Sequence, residues 1–117
     1  FKNVNDTYGH QIGDEVLIEF ASILQTNLRK TDYVGRLGGE EFIVICPEST
    51  IAEVTDLMEI FRVKIENYTF KSIKNKTASF GVTLSKKGDT VDTLIKRADK
   101  ALYEAKNSGR NKVLVNI

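Results

Sequence analysis

The 117-residue sequence predicts an α+β domain, a sheet with helices packed against it, and three features carry that expectation. Apolar residues recur at helical spacing in three separate segments. Two short apolar runs flank Gly38-Gly39-Glu40-Glu41, a hairpin signal. Further on, Ala78, Phe80, Val82 and Leu84 alternate with Thr77, Ser79, Gly81 and Thr83, the period of two that marks a half-buried strand. The resulting order is helix, two strands, helix, strand, helix, strand, and such a series hides its apolar faces by laying helices on a sheet.

Each element has its own local reason. Residues 1–11 are polar and turn-rich, and Asn5-Asp6 and Gly9 predict a loop. Val16, Leu17, Phe20, Ile23, Leu24 and Leu28 then recur at helical spacing, which predicts a first helix over 13–29. Tyr33–Leu37 and Phe42–Cys46 read as the two hairpin strands, and Pro47 stops the second. Thr50 and Glu53 fit a capping box, followed by Val54, Leu57, Phe61 and Ile65 on one face of a helix running to about residue 66. The alternating strand comes next. Thr90 then caps a third helix whose apolar face is Leu94, Ile95, Ala98, Ala101, Leu102 and Ala105, and Gly109 is its C-terminal stop. Val113, Val115 and Ile117 alternate as a last strand.

The length fits one domain, with a radius of gyration of roughly 13 Å. Hydrophobic residues make up 41% and charged residues 28%, a composition that excludes both a disordered chain and a membrane-embedded one. The longest apolar run, Phe42–Cys46, is far short of the ~20 residues of a membrane span. A lone Cys46 makes no internal disulfide and favours a reducing compartment, so the expected location is the cytoplasm. One His and one Cys exclude a zinc site of the usual Cys/His kind. The net charge of +1 conceals an asymmetry. Residues 1–60 carry 11 acids and 4 bases, residues 61–117 carry 5 acids and 13 bases. That balance argues against a nucleic-acid binder, which needs a dominant basic field. An acidic half beside a basic half suits a site for metal plus phosphate, although a solvated surface accounts for the same segregation.

The hairpin turn is the most informative spot. Gly38 and Gly39 satisfy the tight turn and also let a ligand approach the backbone. Glu40 and Glu41 follow, and a carboxylate at a Gly-lined turn suits a hard cation carrying phosphate oxygens. An ordinary hairpin with a charged tip is the competing reading. Asn5, Asp6 and Asp14 form a second group. Asp14 near a helix start is first of all a cap, and its alternative role is to accept hydrogen bonds from a base edge. Asn5 offers both a donor and an acceptor, as a purine requires. Lys106 and Arg110 bracket the end of the third helix, where they either complement its C-terminus or bind triphosphate oxygens. Arg29 and Asp32 read locally as an ion pair at a helix end, yet an exposed pair contributes only about 0–1 kcal/mol, so stability explains it poorly. His10 in its polar loop is not expected to be catalytic, and Cys46 is expected in the core.

Taken together, these segments resemble the GGDEF family of diguanylate cyclases, in its GGEEF variant. The matching pieces are Phe1-Lys2-Asn3-Val4-Asn5-Asp6 with Tyr8-Gly9-His10 and Gly13-Asp14, then Gly38-Gly39-Glu40-Glu41-Phe42. Ser79-Phe80-Gly81-Val82 resembles the family's late strand. Residues 97–106 resemble its last helix, followed by Ser108-Gly109-Arg110-Asn111. The resemblance spans nearly the whole chain and implies that residues 1–117 are a partial GGDEF domain. The implied fold is a central, mostly antiparallel sheet with flanking helices, of the ferredoxin-like, nucleotidyl-cyclase-like kind.

The implied activity is condensation of two GTP into cyclic di-GMP with release of two pyrophosphates. Each domain holds one GTP, so a homodimer is needed, and the 3′-hydroxyl of one nucleotide attacks the α-phosphate of the other. Carried over by residue, Asn5 and Asp14 would read the guanine edge, and Gly38 and Gly39 would pack against the nucleotide. Glu40 would ligate Mg²⁺ or Mn²⁺, and Glu41 would lie beside the reacting hydroxyl. Lys2, Lys106 and Arg110 would contact phosphates. The family's Arg-x-x-Asp product-inhibition motif falls on Arg29 and Asp32, implying feedback inhibition by cyclic di-GMP. No partner membrane or nucleic acid is implied for this segment, although a parent protein can be membrane-tethered. The family's first strand, with an Asp that is also a metal ligand, precedes the Phe-Lys pair. It therefore lies outside this chain, which is expected to be a fragment, poorly folded alone and impaired in catalysis, since each buried backbone group left unpaired costs about 1–3 kcal/mol. The alternative function is an inactive GGDEF domain that senses GTP or cyclic di-GMP.

Overall fold

The computed structural model describes residues 9–38, 41–71, 73 and 75–117. Its elements in chain order are α1 (His10–Gln25), β1 (Tyr33–Gly38), β2 (Glu41–Ile45), α2 (Ile51–Asn67), β3 (Phe80–Val82), α3 (Val91–Asn107) and β4 (Val113–Val115). The class is α+β, as the sequence indicates. The chain divides into two compact units, Phe1–Glu48 with Asn67–Lys76, and Ser49–Glu66 with Thr77–Ile117.

In the first unit, α1 buries Val16, Leu17, Phe20, Ile23 and Leu24, the stripe the spacing predicts. Its ends differ from expectation. Gly9, at φ +90°, is the N-cap, and Gly13 N–H donates to its carbonyl at 3.1 Å, so the helix starts ahead of residue 13. It also stops early. Thr26 donates to the Ile23 carbonyl through both its N–H (3.3 Å) and its hydroxyl (2.7 Å), a local bond that competes with the next α-helical turn. The hairpin pairs β1 with β2 antiparallel, from Tyr33 opposite Ile45 to Gly38 opposite Glu41. Leu37 is an extra residue on β1, a β-bulge directly before the turn. Phe42 meets Phe20 of α1 with ring centroids 5.1 Å apart, which ties the hairpin to the helix. Phe70, 1% exposed, completes this core, and Tyr68 packs edge-on against it at 4.7 Å.

The second unit begins at the expected capping box. Thr50 N–H donates to Glu53 Oε1 (2.9 Å), and Glu53 N–H donates to Thr50 Oγ1 (3.1 Å). The helix that follows buries Met58, Phe61 and Ile65. β3 and β4 are parallel, Phe80 opposite Val113 through Val82 opposite Val115. Parallel neighbours need a crossover, and α3 supplies it, capped by Thr90 and Thr93. The alternating stretch 78–84 shortens to Phe80–Val82 because only these residues have partners in β4. The crossover helix lies so close to the strand that a Cβ on Gly81 would stand 2.1 Å from the Ala98 carbonyl oxygen and 2.5 Å from Leu102 N. Ala101 and Ala105 of the same helix are buried. The helix ends as expected at Gly109, which takes φ +114°, while Arg110 N–H reaches back to the Ala105 carbonyl at 2.9 Å.

Candidate functional site

The hairpin tip is built from its strands. Phe42 faces inward toward Phe20, so the preceding residue, Glu41, points the other way and is exposed. The bulge at Leu37 shifts the register between Arg36 and Gly38, so that Gly38 rather than Leu37 stands opposite Glu41. Gly38 has φ +157°, and among the described residues nothing lies within 4 Å of where its Cβ would be. An open glycine backbone and an exposed carboxylate thus face each other at one edge. Gly39 and Glu40, between them, lie outside the described residues, as do Lys2 and Asn5.

Asp14 is not the helix cap. Gly9 holds that position, and Asp14 stands in the second turn of α1, exposed, with no side-chain hydrogen bond or ion pair among the described residues. The structural role that the sequence favours for this carboxylate is therefore absent.

Arg29 and Asp32 come together in the turn after α1. Arg29 donates through Nε to Asp32 Oδ2 (3.3 Å), through Nη2 to Oδ1 (3.1 Å), and through its backbone N–H to Oδ2 (2.9 Å). Its Nη2 also donates to the Pro47 carbonyl at 3.0 Å, a partner 18 residues away that no local pattern reveals. The Asp32 side chain is 1% exposed and that of Arg29 52%. The Arg29 side-chain hydrogen bonds hold the Asp32 carboxyl below its ordinary value, against the opposing effect of desolvation. Gln25, Leu28, Arg29, Lys30, Asp32, Tyr33 and Val34 line a shallow cavity of about 350 Å³ beside the pair. Nearby Cys46 is half-buried rather than core. Desolvation raises its thiol pKa, Asp32 adds to the rise, and Arg29 opposes it.

Lys106 and Arg110 sit at the end of α3, half-buried and exposed respectively. Arg29, Arg62 and Arg97 each hold a carboxylate. Arg110, in contrast, makes no side-chain hydrogen bond or ion pair among the described residues. Its backbone is left-handed, at φ +61°, as is that of Asn111 at +49°. Around Asn111 the structure gathers Arg62, Glu66 and Ser79, side chains that sequence reading passes over because their partners lie 32 to 49 residues away.

No group of three or more His, Cys, Asp or Glu that could hold a metal occurs among the described residues. What the tip offers is oxygen, from the Glu41 carboxylate and the open Gly38 backbone, and oxygen donors fit a hard divalent cation. No helix among the described residues is long and apolar enough to cross a membrane.

Comparison with known proteins follows the same lines. The family model described as diguanylate cyclase, GGDEF domain, matches residues 1–112. The response regulator PleD of Caulobacter vibrioides is 45% identical over 120 residues, which cover 97% of this chain but 26% of PleD. The chain thus spans about a quarter of that relative's length. The active GGEEF domain of a diguanylate cyclase from Vibrio cholerae is similar with a TM-score of 0.89 and 31% identity, over 99% of this chain and 76% of that one. The GGDEF domain of DgcB from Caulobacter crescentus, solved in complex with c-di-GMP, is similar with a TM-score of 0.89 and 33% identity, over 97% and 70%.

Proposed function

This chain belongs to the diguanylate cyclase GGDEF-domain family, and we propose that it forms half of a cyclase site that condenses two GTP into cyclic di-GMP. Two copies face each other with one GTP each. The 3′-oxygen of one nucleotide bonds to the α-phosphorus of the other, the bond to pyrophosphate breaks, and the hydroxyl proton leaves toward Glu41. The step repeats with the roles exchanged, so two pyrophosphates depart. The observation that carries this reading is the hairpin tip, where the bulge at Leu37 sets open Gly38 against exposed Glu41 at the signature sequence.

The remaining residues take roles that their chemistry allows. Asp14, an exposed carboxylate, accepts from the donor edge of guanine, and Asn5 contributes a donor and an acceptor. Lys2, Lys106 and Arg110 offset the triphosphate charge, Arg110 as the planar multidentate group. Gly38 and Gly39 lie against the nucleotide. Glu40 holds a divalent cation, Mg²⁺ or Mn²⁺, which when bound neutralises charge developing on phosphate oxygens. Most of the acceleration asked of the protein is positioning.

The Arg29–Asp32 pair and its cavity form a separate site for cyclic di-GMP, through which product inhibits turnover. Because the pair is closed on itself, ligand must draw the Arg29 fork off Asp32 and the Pro47 carbonyl, exchanging one set of charge-assisted bonds for another.

The test is incubation of the full-length protein with GTP and Mg²⁺ or Mn²⁺, following cyclic di-GMP by chromatography. Product formation is expected. GTP or cyclic di-GMP bound without turnover would replace the cyclase by the sensor reading.

A further inference from the structure

Chain geometry at the end of α3 is unusual in one respect. Two consecutive non-glycine residues, Arg110 and Asn111, take left-handed backbone conformations. Asn accepts that conformation readily, whereas Arg gains nothing from it. Such a conformation persists only where surroundings over-determine it, and here they do so through Asn111. Its backbone N–H donates to Ser79 Oγ at 3.1 Å, next to the start of β3. Its side-chain carbonyl accepts from Arg62 Nη1 at 3.1 Å, and its amide donates to Glu66 Oε2. Arg62 in turn is fixed by Glu59, which accepts from its Nε at 2.9 Å, and by Glu66 at 3.8 Å. The Glu59 and Glu66 carboxylates of α2 and both the oxygen and the nitrogen of the Asn111 amide are thus engaged. On the other side, Arg110 N–H is tied to the Ala105 carbonyl at 2.9 Å. Arg110 stands between two anchored points, and its own guanidinium engages nothing among the described residues.

We propose that Asn111 is a positioning residue for the nucleotide site: clamped by Arg62, Glu66 and Ser79, it fixes the backbone from which Arg110 meets the triphosphate. This rests on the reading of Arg110 as a phosphate-binding residue. An arginine on a free loop must lose its freedom when it binds, and a held backbone removes part of that cost beforehand. Charge alone does not call for such a clamp. The bidentate fork of arginine requires a fixed approach to phosphate oxygens, as a lysine point charge does not. Lys106 is one turn earlier within α3, where the helix already holds its backbone, and it needs no Asn111.

A double-mutant cycle in the full-length protein tests this, with equilibrium binding of a non-hydrolysable GTP analogue and the unfolding temperature measured for each variant. Asn111→Gly is the primary variant, because glycine tolerates the left-handed backbone while removing the side-chain bonds of the clamp to Arg62 and Glu66. Arg110→Ala is expected to weaken binding about 10- to 100-fold, the range for a lost hydrogen bond to a charged group. Asn111→Gly is expected to weaken it about three- to tenfold through Arg110, a fraction of the same interaction. Adding Asn111→Gly to Arg110→Ala should then change binding no further, whereas its effect should multiply with that of Lys106→Ala. A merely structural Asn111 would multiply with both. Should Asn111→Gly unfold, Ser79→Ala loosens the same anchor from the other side and enters the same cycle.

Unchanged analogue binding in Arg110→Ala overturns the phosphate reading itself. Weakened binding in Arg110→Ala together with multiplicative effects of Asn111→Gly, or with no effect of it, overturns the clamp and leaves the phosphate reading standing.

Discussion

A carboxylate at position 14 serves either the helix or a ligand, and the two roles make different demands. A cap must sit at the first non-helical residue, where its oxygen meets orphan N–H groups. Asp14 sits five residues past Gly9, within the helix, so replacing it removes no capping bond. Asp14→Ala should therefore change stability by less than about 0.5 kcal/mol, as exposed substitutions do. The same change should raise the KM for GTP about 10-fold or more, because donors of the guanine edge are left unpaired. A large drop in unfolding temperature with an unaltered KM would return Asp14 to a structural role. Sequence periodicity placed the apolar stripe of α1 correctly but not its start, since Gly9 at φ +90° and Asp14 both look like boundary residues from composition alone.

The Arg29–Asp32 pair makes two separable demands at this scale. Arg29 holds the Asp32 carboxyl below its ordinary value, so the folded pKa lies under the unfolded one. The unfolded chain then binds more protons in the window below about pH 4, and the pair's stabilisation, complete above that window, is lost as pH falls through the folded pKa. Arg29→Ala should bring the two pKa values together and move acid unfolding to higher pH. In the cyclase assay the same variant should retain turnover while losing inhibition by cyclic di-GMP. Inhibition as strong as in the parent would remove the inhibitory role from Arg29. The spacing of Arg29 and Asp32 revealed the pair, but its third contact, the Pro47 carbonyl, depends on where β2 ends and has no local signature.

At the scale of elements, what the sequence discloses is whatever is settled within a few residues. Both expected N-terminal signals, Thr50 with Glu53 and Thr90, form the anticipated bonds. Gly109 ends α3 as expected. The extent of β3 depends instead on a partner strand more than 30 residues away, and its pattern ran longer than its pairing. Gly81 belongs to the second kind. In the alternating pattern it looks like a weak strand residue, yet it is the point where α3 touches β3, with 2.1 Å left between a Cβ and a backbone carbonyl. Neither strand nor helix backbone can give way cheaply, so Gly81→Ala should destabilise by about 1–3 kcal/mol or more, as overpacking does. Thr90→Ala, which removes one cap of the same helix, should cost about 1 kcal/mol. Denaturant unfolding of both variants ranks them. Gly81→Ala as mild as Thr90→Ala would mean that α3 rides freely on the strand.

For the molecule as a whole, the decisive quantity is how many copies act together. The hairpin tip offers one open glycine edge and an exposed Glu41, whereas cyclic di-GMP has two new phosphodiester bonds and therefore needs two nucleotides brought face to face. On the proposed reading each copy holds one GTP, and the α-phosphate of each must meet the 3′-hydroxyl of the other. Specific activity should therefore rise with protein concentration and level off once pairs dominate. Below the dissociation constant of the pair, total rate should scale with the square of concentration, and above it linearly, by mass action. Measuring initial rates over a wide range of enzyme concentration at saturating GTP, alongside sedimentation, separates the cases. Specific activity that stays constant while sedimentation shows single copies would mean that one chain holds both nucleotides, and the half-site reading would fall. The family signature is read from Gly38 through Phe42, whereas the requirement for two copies comes only with what the family resemblance implies. It follows from the stoichiometry of the proposed product, which joins two nucleotides through two phosphodiester bonds, rather than from any residue pattern.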